Sequence, residues 1–210
     1  MFTLDDSSAI RKINITDKKI FLTFDDGPGN STEAVLEILK KYSAQATFFA
    51  IGKKAEAHMP LLKKTLAAGH SVYSHSIDHN YWNFFSGDKK IEEWVLKSIS
   101  HLAKLTDSQT CVFRPPAGVL TPPLVRVCKK NRIYLVLWSH RFFDSTKSLT
   151  PQKVLAYLPK AQAGDIVLLH DQQKEKNKKN FLQSLELLVQ ELRDRGFQLC
   201  SLTEKDLAGF

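Results

Sequence analysis

The alternation of short apolar runs with amphipathic helical segments constrains the fold of this chain more than any other feature. From Lys19 onward, seven runs of β-rich composition alternate with helical periodicity, and no low-complexity linker separates them. The near-continuous apolar runs YLVLW at 134–138 and IVLL at 166–169 are typical of parallel strands buried on both faces. The sequence therefore predicts an α/β fold with parallel strands, which a barrel and a doubly wound sheet satisfy equally.

The predicted division of the chain is an N-terminal extension over 1–18 and one domain over 19–210. Turn residues and hydrophobic periodicity set the element bounds. The predicted strands cover 19–26, 46–51, 71–74, 110–113, 133–138, 166–169 and 198–202. The better defined helices are predicted over 91–105, 124–130, 151–158 and 181–195.

Composition excludes several classes of protein. With 43% apolar residues the chain has enough hydrophobic side chains for a sizeable core, yet no run approaches the roughly 20 apolar residues that span a bilayer. The first six residues have neither the basic nor the apolar region of an export signal. Three widely spaced cysteines without a C-x-x-C pair make a disulfide framework or a thiolate zinc site improbable. We expect no stable membrane insertion.

The formal net charge of +8 would attract polyanions such as nucleic acid, anionic lipid or an acidic cell-wall polymer. Part of the excess lies in the run at 174–179, which is predicted to be a solvated loop before a helix. The chain has no finger, helix-turn-helix or RNA-recognition pattern, and no aromatic residues interleaved with basic ones. A nucleic-acid partner is therefore not expected.

Polar side chains follow the predicted strands at their carboxyl ends. They are Asp25 and Asp26, His75, Arg114, His140 and Asp144, and His170 with Asp171. Barrels and doubly wound sheets both place their active sites at that end. These residues are expected to converge on one site.

Two of these groups have the composition of a metal site. The adjacent carboxylates of Asp25 and Asp26 repel each other unless a cation lies between them. His75 and His79 would be about 13 Å apart on a strand, but their Cβ atoms come within about 6 Å in a helical turn or tight loop. Two histidines and one carboxylate make a catalytic type of zinc site with an open position. The histidine pair must then lie in a turn just after the third strand.

Four motifs in this order resemble those of the polysaccharide deacetylases, carbohydrate esterase family 4. They are TFDDGP at 23–28, HSIDH at 75–79, RPPAG at 114–118 and IVLLHD at 166–171. The likeness covers about 19–202. It implies a distorted seven-stranded (β/α) barrel of the TIM-barrel type, a divalent metal, and hydrolysis of N-acetyl groups on an amino sugar polymer by a domain over 19–210.

The resemblance also implies roles for individual residues. The metal ligands would be Asp26, His75 and His79, and Asp25 would be the base, held ionised and oriented by Arg114. The Ala117 backbone N–H would help to bind the oxyanion, and His170 would be the general acid. Leu168 would pack against the acetyl methyl group, and Pro116 would line the substrate groove. His70 and Asp171 are expected to be structural hydrogen-bonding residues.

One stretch departs from the family pattern. By ungapped spacing from Trp138, Arg141 stands at the usual position of the aspartate that polarises the catalytic histidine, and Ser145 at that of a pocket tryptophan. Either Asp144 orients His170 or no residue does. Two alternatives remain open for the wall: either Phe142, Phe143, Tyr81 or Trp82 refills it, or these are loop and core aromatics.

The function expected from the resemblance is metal-dependent N-deacetylation of a cell-wall polysaccharide, above all peptidoglycan. Zinc is the expected metal, with Co²⁺, Ni²⁺ or Mn²⁺ as alternatives. Chitin oligomers, xylan esters and small cyclic amides are other substrates within the family. A non-catalytic wall-binding protein on the same scaffold is the rival from another class. We expect a monomer that acts outside the cytoplasm, as the substrate requires.

Overall fold

A computed structural model describes residues 8–208 of the chain. Within them a curled parallel sheet is surrounded by helices, in the order β5-β4-β3-β2-β1-β7-β6, with β8 paired to β1. The strands are β1 (Lys19–Asp25), β2 (Thr47–Ala50), β3 (Ser71–Ser74), β4 (Val112–Phe113), β5 (Tyr134–Leu135), β6 (His140–Arg141), β7 (Ile166–His170) and β8 (Gln198–Leu199). This is the distorted (β/α) barrel that the motifs predicted.

Eight α-helices connect the strands of this part of the chain. They are α1 (Thr32–Lys41), α2 (Gly52–Ala57), α3 (Met59–Ala67), α4 (Asp88–Thr106), α5 (Pro122–Lys130), α6 (Pro151–Tyr157), α7 (Glu175–Asp194) and α8 (Glu204–Leu207). The side chains of Thr121 and Thr150 cap the first turns of α5 and α6, where proline occupies a position that needs no N–H donor. Short 3-10 helices cover Tyr81–Phe85, Pro116–Gly118 and Leu158–Lys160.

The register of β1 determines which polar residues meet. On one side β1 pairs with β7, so that Thr23 lies beside Leu168 and Asp25 beside His170. On the other side it pairs with β2, which pairs in turn with β3. Because all these strands are parallel, their carboxyl ends lie at one end of the barrel. The motif residues that follow them are therefore brought together there.

Apolar side chains fill the space on both sides of the strands. One cluster packs β1, β2 and β7 against α1, α6 and α7, and includes Phe24, Leu36 and Leu188. A second lies between β4, β5, α4 and α5, and the third fills the barrel interior around Phe21, Phe49 and Val136. Burial of strand residues on both faces confirms the interpretation of the continuous apolar runs.

The structure corrects two details of the sequence-based prediction. β6 was not predicted, because two residues are too few for a periodic pattern. The basic run at 174–179 was predicted to be a loop, but from residue 175 it forms the first turns of α7. Its lysines are exposed or half-exposed on the helix, so only their solvation was predicted correctly.

The segment before β1 packs against the barrel. The Ile10 N–H donates to the carbonyl of Leu135, the Leu137 N–H donates to the carbonyl of Ile10, and Ile13 is buried. The division at 18/19 stays a prediction, and residues 1–7 and 209–210 lie outside the described part. Between residues 8 and 208, no helix is long and apolar enough to cross a membrane. The three cysteines are free.

Candidate active site

Asp26, His75 and His79 form a compact group at the carboxyl end of the barrel. One ligand atom from each lies within 4.8 Å of the other two. Oδ1 of Asp26 lies 3.5 Å from Nε2 of His75 and 3.2 Å from Nε2 of His79. The two imidazole rings are 5.1 Å apart between centroids, as the prediction of a turn after β3 required.

Local backbone conformation brings these three side chains together. Asp26 follows β1 with φ of 71°, and His79 has φ of 57°, both in the left-handed region. Ser76, also left-handed at φ of 68°, accepts the His79 N–H on its Oγ at 2.9 Å. These residues turn the chain sharply, so that His79 returns towards His75. Such turns hold side chains that an extended strand would keep apart.

The three side chains fit a divalent metal ion. Nδ1 of His75 donates to the carbonyl oxygen of Arg114 at 2.8 Å, which leaves the lone pair of Nε2 directed at the carboxylates. Burial lowers the pKa of His75, although the charges of Asp25 and Asp26 act to raise it. The lowered pKa favours the neutral imidazole, which is the form that binds metal. Oδ1 of Asp26 is buried and accepts no hydrogen bond of good geometry within residues 8–208. A cation would supply its missing partner.

The ionised state of Asp26 is favoured despite its burial. Burial opposes ionisation, but the close approach of His79 and the charge of His170 hold the pKa of Asp26 well below the ordinary value. The group therefore offers one anionic oxygen and two imidazole nitrogens.

Asp25 and Arg114 form a buried ion pair beside this group. Nη1 of Arg114 donates to Oδ1 of Asp25 and to Oγ1 of Thr23, both at 2.7 Å. Its Nε donates to the carbonyl of Val136 at 3.1 Å, and its Nη2 to that of Leu137 at 2.7 Å. Neither side chain is more than 4% exposed. Oδ2 of Asp25 remains directed towards His75, 3.7 Å from its Nε2.

His170 is held by Asp144 on the opposite side of the cleft. Nδ1 of His170 lies 2.9 Å from Oδ1 of Asp144, whose Oδ2 accepts the His170 backbone N–H at 2.8 Å. Nε2 of Gln173 donates to Oδ2 of Asp144 and to the carbonyl of His170. Burial lowers the pKa of His170, but its hydrogen bond and ion pair with Asp144, together with Asp25 and Asp26, raise it to about 9. Of the two alternatives, the geometry favours Asp144 as the residue that orients His170.

These groups line one cleft with a volume of about 220 Å³. Its walls contain both catalytic candidates, the three ligand candidates, and several of the residues that the sequence singled out. The remaining lining residues are Tyr81, Ala117, Trp138, Arg141, Phe143, Ser145 and Leu168. The positions of Arg141 and Ser145 show that the departures from the family pattern alter the wall of the cleft itself.

Three residues predicted for the groove or its wall, Phe142, Pro116 and Trp82, do not line the cleft. Phe142 is only 3% exposed and packs edge-on against Tyr157 in the core, so the interpretation of Phe142 as a wall residue is corrected. Phe143, 52% exposed, takes that place. Pro116 is buried and does not line the cleft, so its interpretation as a groove residue is likewise corrected. Asp144 reaches the site only through His170.

Three residues of the site were missed by sequence reasoning. Thr23 and Gln173 bind charged partners through single hydrogen bonds that no spacing rule predicts. Trp138 lines the cleft, although its place at the end of an apolar run resembled a core position. The location of Gln173 three residues after His170 is the one signal available in the sequence.

His70 and Asp171, expected to be structural, have structural contacts. Nδ1 of His70 accepts the Ala46 N–H at 3.2 Å, and burial lowers the pKa of His70 to about 4. Asp171 accepts the Thr32 hydroxyl at 2.5 Å, and its carboxylate fills the space below Gly27. Burial raises the pKa of Asp171 to about 7.

Both the sequence and the fold of this chain are similar to those of known proteins. The model of the polysaccharide deacetylase family matches residues 12–136, more than half of the chain. The chain is 31% identical over 191 residues to a peptidoglycan-N-acetylglucosamine deacetylase of Bacillus cereus, which covers 90% of this chain and 88% of that protein. The chain belongs to the polysaccharide deacetylases.

Solved structures share the fold of this deacetylase. A peptidoglycan N-acetylglucosamine deacetylase bound to a naphthalenyl N-hydroxybenzamide superposes with a TM-score of 0.83 at 22% identity, covering 93% of this chain and 91% of that one. A carbohydrate esterase family 4 pseudoenzyme from Bacillus anthracis superposes with a TM-score of 0.80 at 23% identity, covering 93% of this chain and 68% of that one. At these identities the likeness establishes the fold.

Proposed function

We propose that this deacetylase removes N-acetyl groups from amino sugars of a cell-wall polysaccharide, with peptidoglycan as its substrate. The observation that carries the proposal is the convergence of Asp26, His75 and His79 with Asp25 on one side and His170 on the other. Amide hydrolysis needs a nucleophile, a base to take its proton, and an acid to protonate the leaving amine. The cleft holds a candidate for each task.

Asp26, His75 and His79 would hold the divalent ion. When bound, that ion activates water and polarises the acetyl carbonyl. Zinc is proposed because two imidazoles and one carboxylate suit it, while Co²⁺, Ni²⁺ and Mn²⁺ are accepted by similar donor sets.

Asp25 is proposed as the base. Arg114 occupies its Oδ1, so that Oδ2, which faces the ligand group, is the oxygen free to accept a proton from the attacking water. Four hydrogen bonds donated by Arg114 hold its guanidinium in place, and one of them holds the carboxylate of Asp25. A base that is already oriented loses less conformational freedom when the reaction geometry forms.

His170 is proposed as the acid. Asp144 accepts the hydrogen bond of its Nδ1, which leaves Nε2 for the leaving nitrogen. An amine is too basic to depart unprotonated, and the raised pKa keeps His170 protonated at neutral pH. The Ala117 backbone N–H is proposed to stabilise the oxyanion, and Leu168 to contact the acetyl methyl group.

The direct test is mass spectrometry of muropeptides from peptidoglycan incubated with the zinc-loaded protein. Each turnover replaces an acetyl group by hydrogen, so the mass of the sugar falls by C₂H₂O while acetate appears in solution. Fragmentation assigns the loss to N-acetylglucosamine or N-acetylmuramic acid. Chitin oligomers serve as the comparison substrate. If acetate is released only from chitin oligomers, the substrate is a chitin oligosaccharide and not peptidoglycan. If no substrate releases acetate, the proposal is refuted.

A non-catalytic wall-binding protein is the second candidate. The altered stretch at 138–145 favours it, as does the persistence of the same fold in a pseudoenzyme. Asp25 and His170, both nearly buried around the ligand group, oppose it. Burial of ionisable groups is costly, and a purely binding role gives no reason to retain them.

Asp144→Asn tests the role proposed for Asp144. Activity requires protonated His170 and therefore falls as pH rises through the pKa of His170. Without the Asp144 charge, that pKa should drop from about 9 towards or below the ordinary 6.5. We expect the alkaline limb of kcat against pH to move to lower pH. A bound metal ion shifts the pH profiles of the wild type and of Asp144→Asn together. The measurement is therefore the difference in pH between the two alkaline limbs.

Asp78→Asn provides a control for this pH profile, because Asp78 lies near the site but does not contact His170. Superimposable profiles of the wild type and Asp144→Asn would remove Asp144 from the mechanism.

The place of action and the state of assembly follow from the same proposal. The substrate lies outside the cytoplasm, so we propose an extracytoplasmic protein that meets its polymer there. A monomer is proposed, with neither nucleic acid nor membrane as a partner. The basic surface, with net charge +8, favours association with an anionic wall.

A further inference from the structure

Arg141 is a cation in the cleft that the reaction proposed above does not use. It lines the cleft together with Asp25, Asp26 and His170. In the sheet, Arg141 of β6 pairs with Leu168 of β7, the residue proposed to contact the acetyl group. Its backbone is therefore one strand away from the reacting centre.

The guanidinium of Arg141 is supported by aromatic rings. Its Cζ lies 4.1 Å from the centroid of Phe143 and 5.8 Å from that of Trp138, and both rings line the same cleft. Stacking of this kind restricts the side chain while leaving the edge of the guanidinium free for hydrogen bonds. Arg141 is thus held in place at the mouth of the cleft.

Arg141 has no anionic partner in the part of the chain from residue 8 to residue 208. No carboxylate there lies within 4.0 Å of it. Asp25 is already paired with Arg114 at 2.7 Å, Asp26 faces the two histidines, and Asp144 is hydrogen-bonded to His170. The carboxylates nearest in sequence or in the cleft are therefore engaged elsewhere. The planar donors of Arg141 are available to a ligand.

From this geometry we infer that Arg141 binds a carboxylate of the substrate and makes the enzyme prefer amino sugar polymers that carry one. A guanidinium edge matches a carboxylate through two parallel hydrogen bonds. In peptidoglycan that group is either the lactyl carboxylate of a muramic acid that has lost its stem peptide, or a carboxylate of the stem peptide itself where the peptide is attached. A neutral polymer such as chitin has no partner for Arg141.

This inference rests on the proposed function but makes a separate claim. It concerns recognition of charge near the acetamide and leaves open which of the two sugars loses its acetyl group. The absence of a bulky residue at Ser145 is consistent with it, because a small side chain leaves room beside Arg141 for a substituent on the ring. Arg141 is a specificity residue in this proposal, and the proton transfers belong to Asp25 and His170.

The test compares kcat/KM for matched substrates. These are peptide-free glycan oligomers with the lactyl carboxylate, the same oligomers with that carboxyl group reduced to an alcohol, oligomers that retain the stem peptide, and neutral chitin oligomers of equal length. In Arg141→Gln we expect the ratio of kcat/KM between carboxylate-bearing and reduced substrate to fall about 10- to 100-fold, mainly through KM.

Lys147→Gln is the matched control. Lys147 is an exposed cation in the same loop that does not line the cleft, so its loss removes the same charge from the surface. The ratio should stay at the wild-type value in this variant. If Arg141 binds the lactyl carboxylate, the fall in the ratio should appear with peptide-free oligomers. If it binds a carboxylate of the stem peptide, the fall should appear only with oligomers that retain the stem.

Two results would overturn the inference: an Arg141→Gln ratio equal to that of the wild type, or an equal fall in Lys147→Gln. Acetate release by the wild type from any of the muramic-acid-containing oligomers would show in either case that the proposed deacetylation of peptidoglycan stands. Should no substrate release acetate, calorimetric binding of the muramic-acid-containing disaccharide decides the question. Equal affinity of the wild type and Arg141→Gln would then refute the role of Arg141, and the proposed function would fail separately.

Discussion

Arg114→Met is expected to lower the free energy of unfolding by about 3–5 kcal/mol, because it leaves the carboxylate of Asp25 buried without its partner. Arg114 is fully buried, and Asp25 is only 3% exposed. The substitution also removes the donors to Thr23 and to two backbone carbonyls. Urea unfolding monitored by circular dichroism measures the change. Acetate release should be lost together with the fixed orientation of the base.

Arg126→Met is the control for the loss of an arginine as such. Arg126 makes the same type of ion pair with Asp88 at 2.8 Å, but the two side chains are 58% and 51% exposed. Exposed pairs contribute little to stability because solvent screens them, so the cost should be several-fold smaller. Equal costs at the two sites would contradict the buried-charge explanation.

The double variant Arg114→Met with Asp25→Asn separates the charge from the packing. Removal of both charges should recover part of the lost stability, because no ion then remains buried without a partner. Arg114 also covers the ring of Phe49, with its Cζ 3.8 Å from the centroid, and methionine retains some of that contact. A double variant as unstable as the sum of the single variants would assign the effect to packing and hydrogen bonds.

Removal of the divalent ion is expected to reduce acetate release to background, and Asp26→Asn should weaken metal binding by more than about 100-fold, the upper range for loss of an outer partner of a metal ligand. Asp26 supplies the anionic oxygen of the group, and its Oδ1 is one of the buried atoms that lack a hydrogen-bond partner within residues 8–208. Activity is measured before and after dialysis against a chelator and again after addition of zinc.

Metal binding can also be measured without catalysis. Zinc should raise the melting temperature of the wild type, since a ligand that binds only the folded state stabilises it, and should not raise that of Asp26→Asn. Asp78→Asn is the matched control, because Asp78 lies within the same histidine segment but outside the ligand group. Chelator-resistant activity, or an Asp26→Asn protein that binds zinc like the wild type, would refute the assigned ligands.

Much of the fold was predictable because its signals are local. Apolar runs bounded by turn residues located β1, β2, β3 and β7 to within a residue or two. The same runs located Asp25, His75 and His170 at strand ends, where a parallel sheet brings side chains together. β4 and β5 are shorter than predicted, and beyond β5 the Leu137 N–H donates to the carbonyl of Ile10 in the N-terminal segment.

The predictions that failed concern side-chain direction. Phe142 and Phe143 are adjacent and chemically identical, but one is buried in the core and the other lines the cleft. Phe143 has φ of 58°, and the strand before it contains only two residues. Simple alternation along an extended chain therefore gives no reliable guide in this loop.

The amino-acid sequence by itself determined the α/β class, the family, and the identity of the ligand and acid–base candidates, because these depend on short motifs and on periodicity along the chain. Only the tertiary structure decided that Asp144 contacts His170, that Arg141 faces the cleft with no carboxylate partner among residues 8–208, and that Thr23 and Gln173 support the charged groups. Each of these contacts either joins segments that are distant in sequence or depends on a single backbone angle. Their energies depend on strand register and burial, which exist only once the barrel has formed.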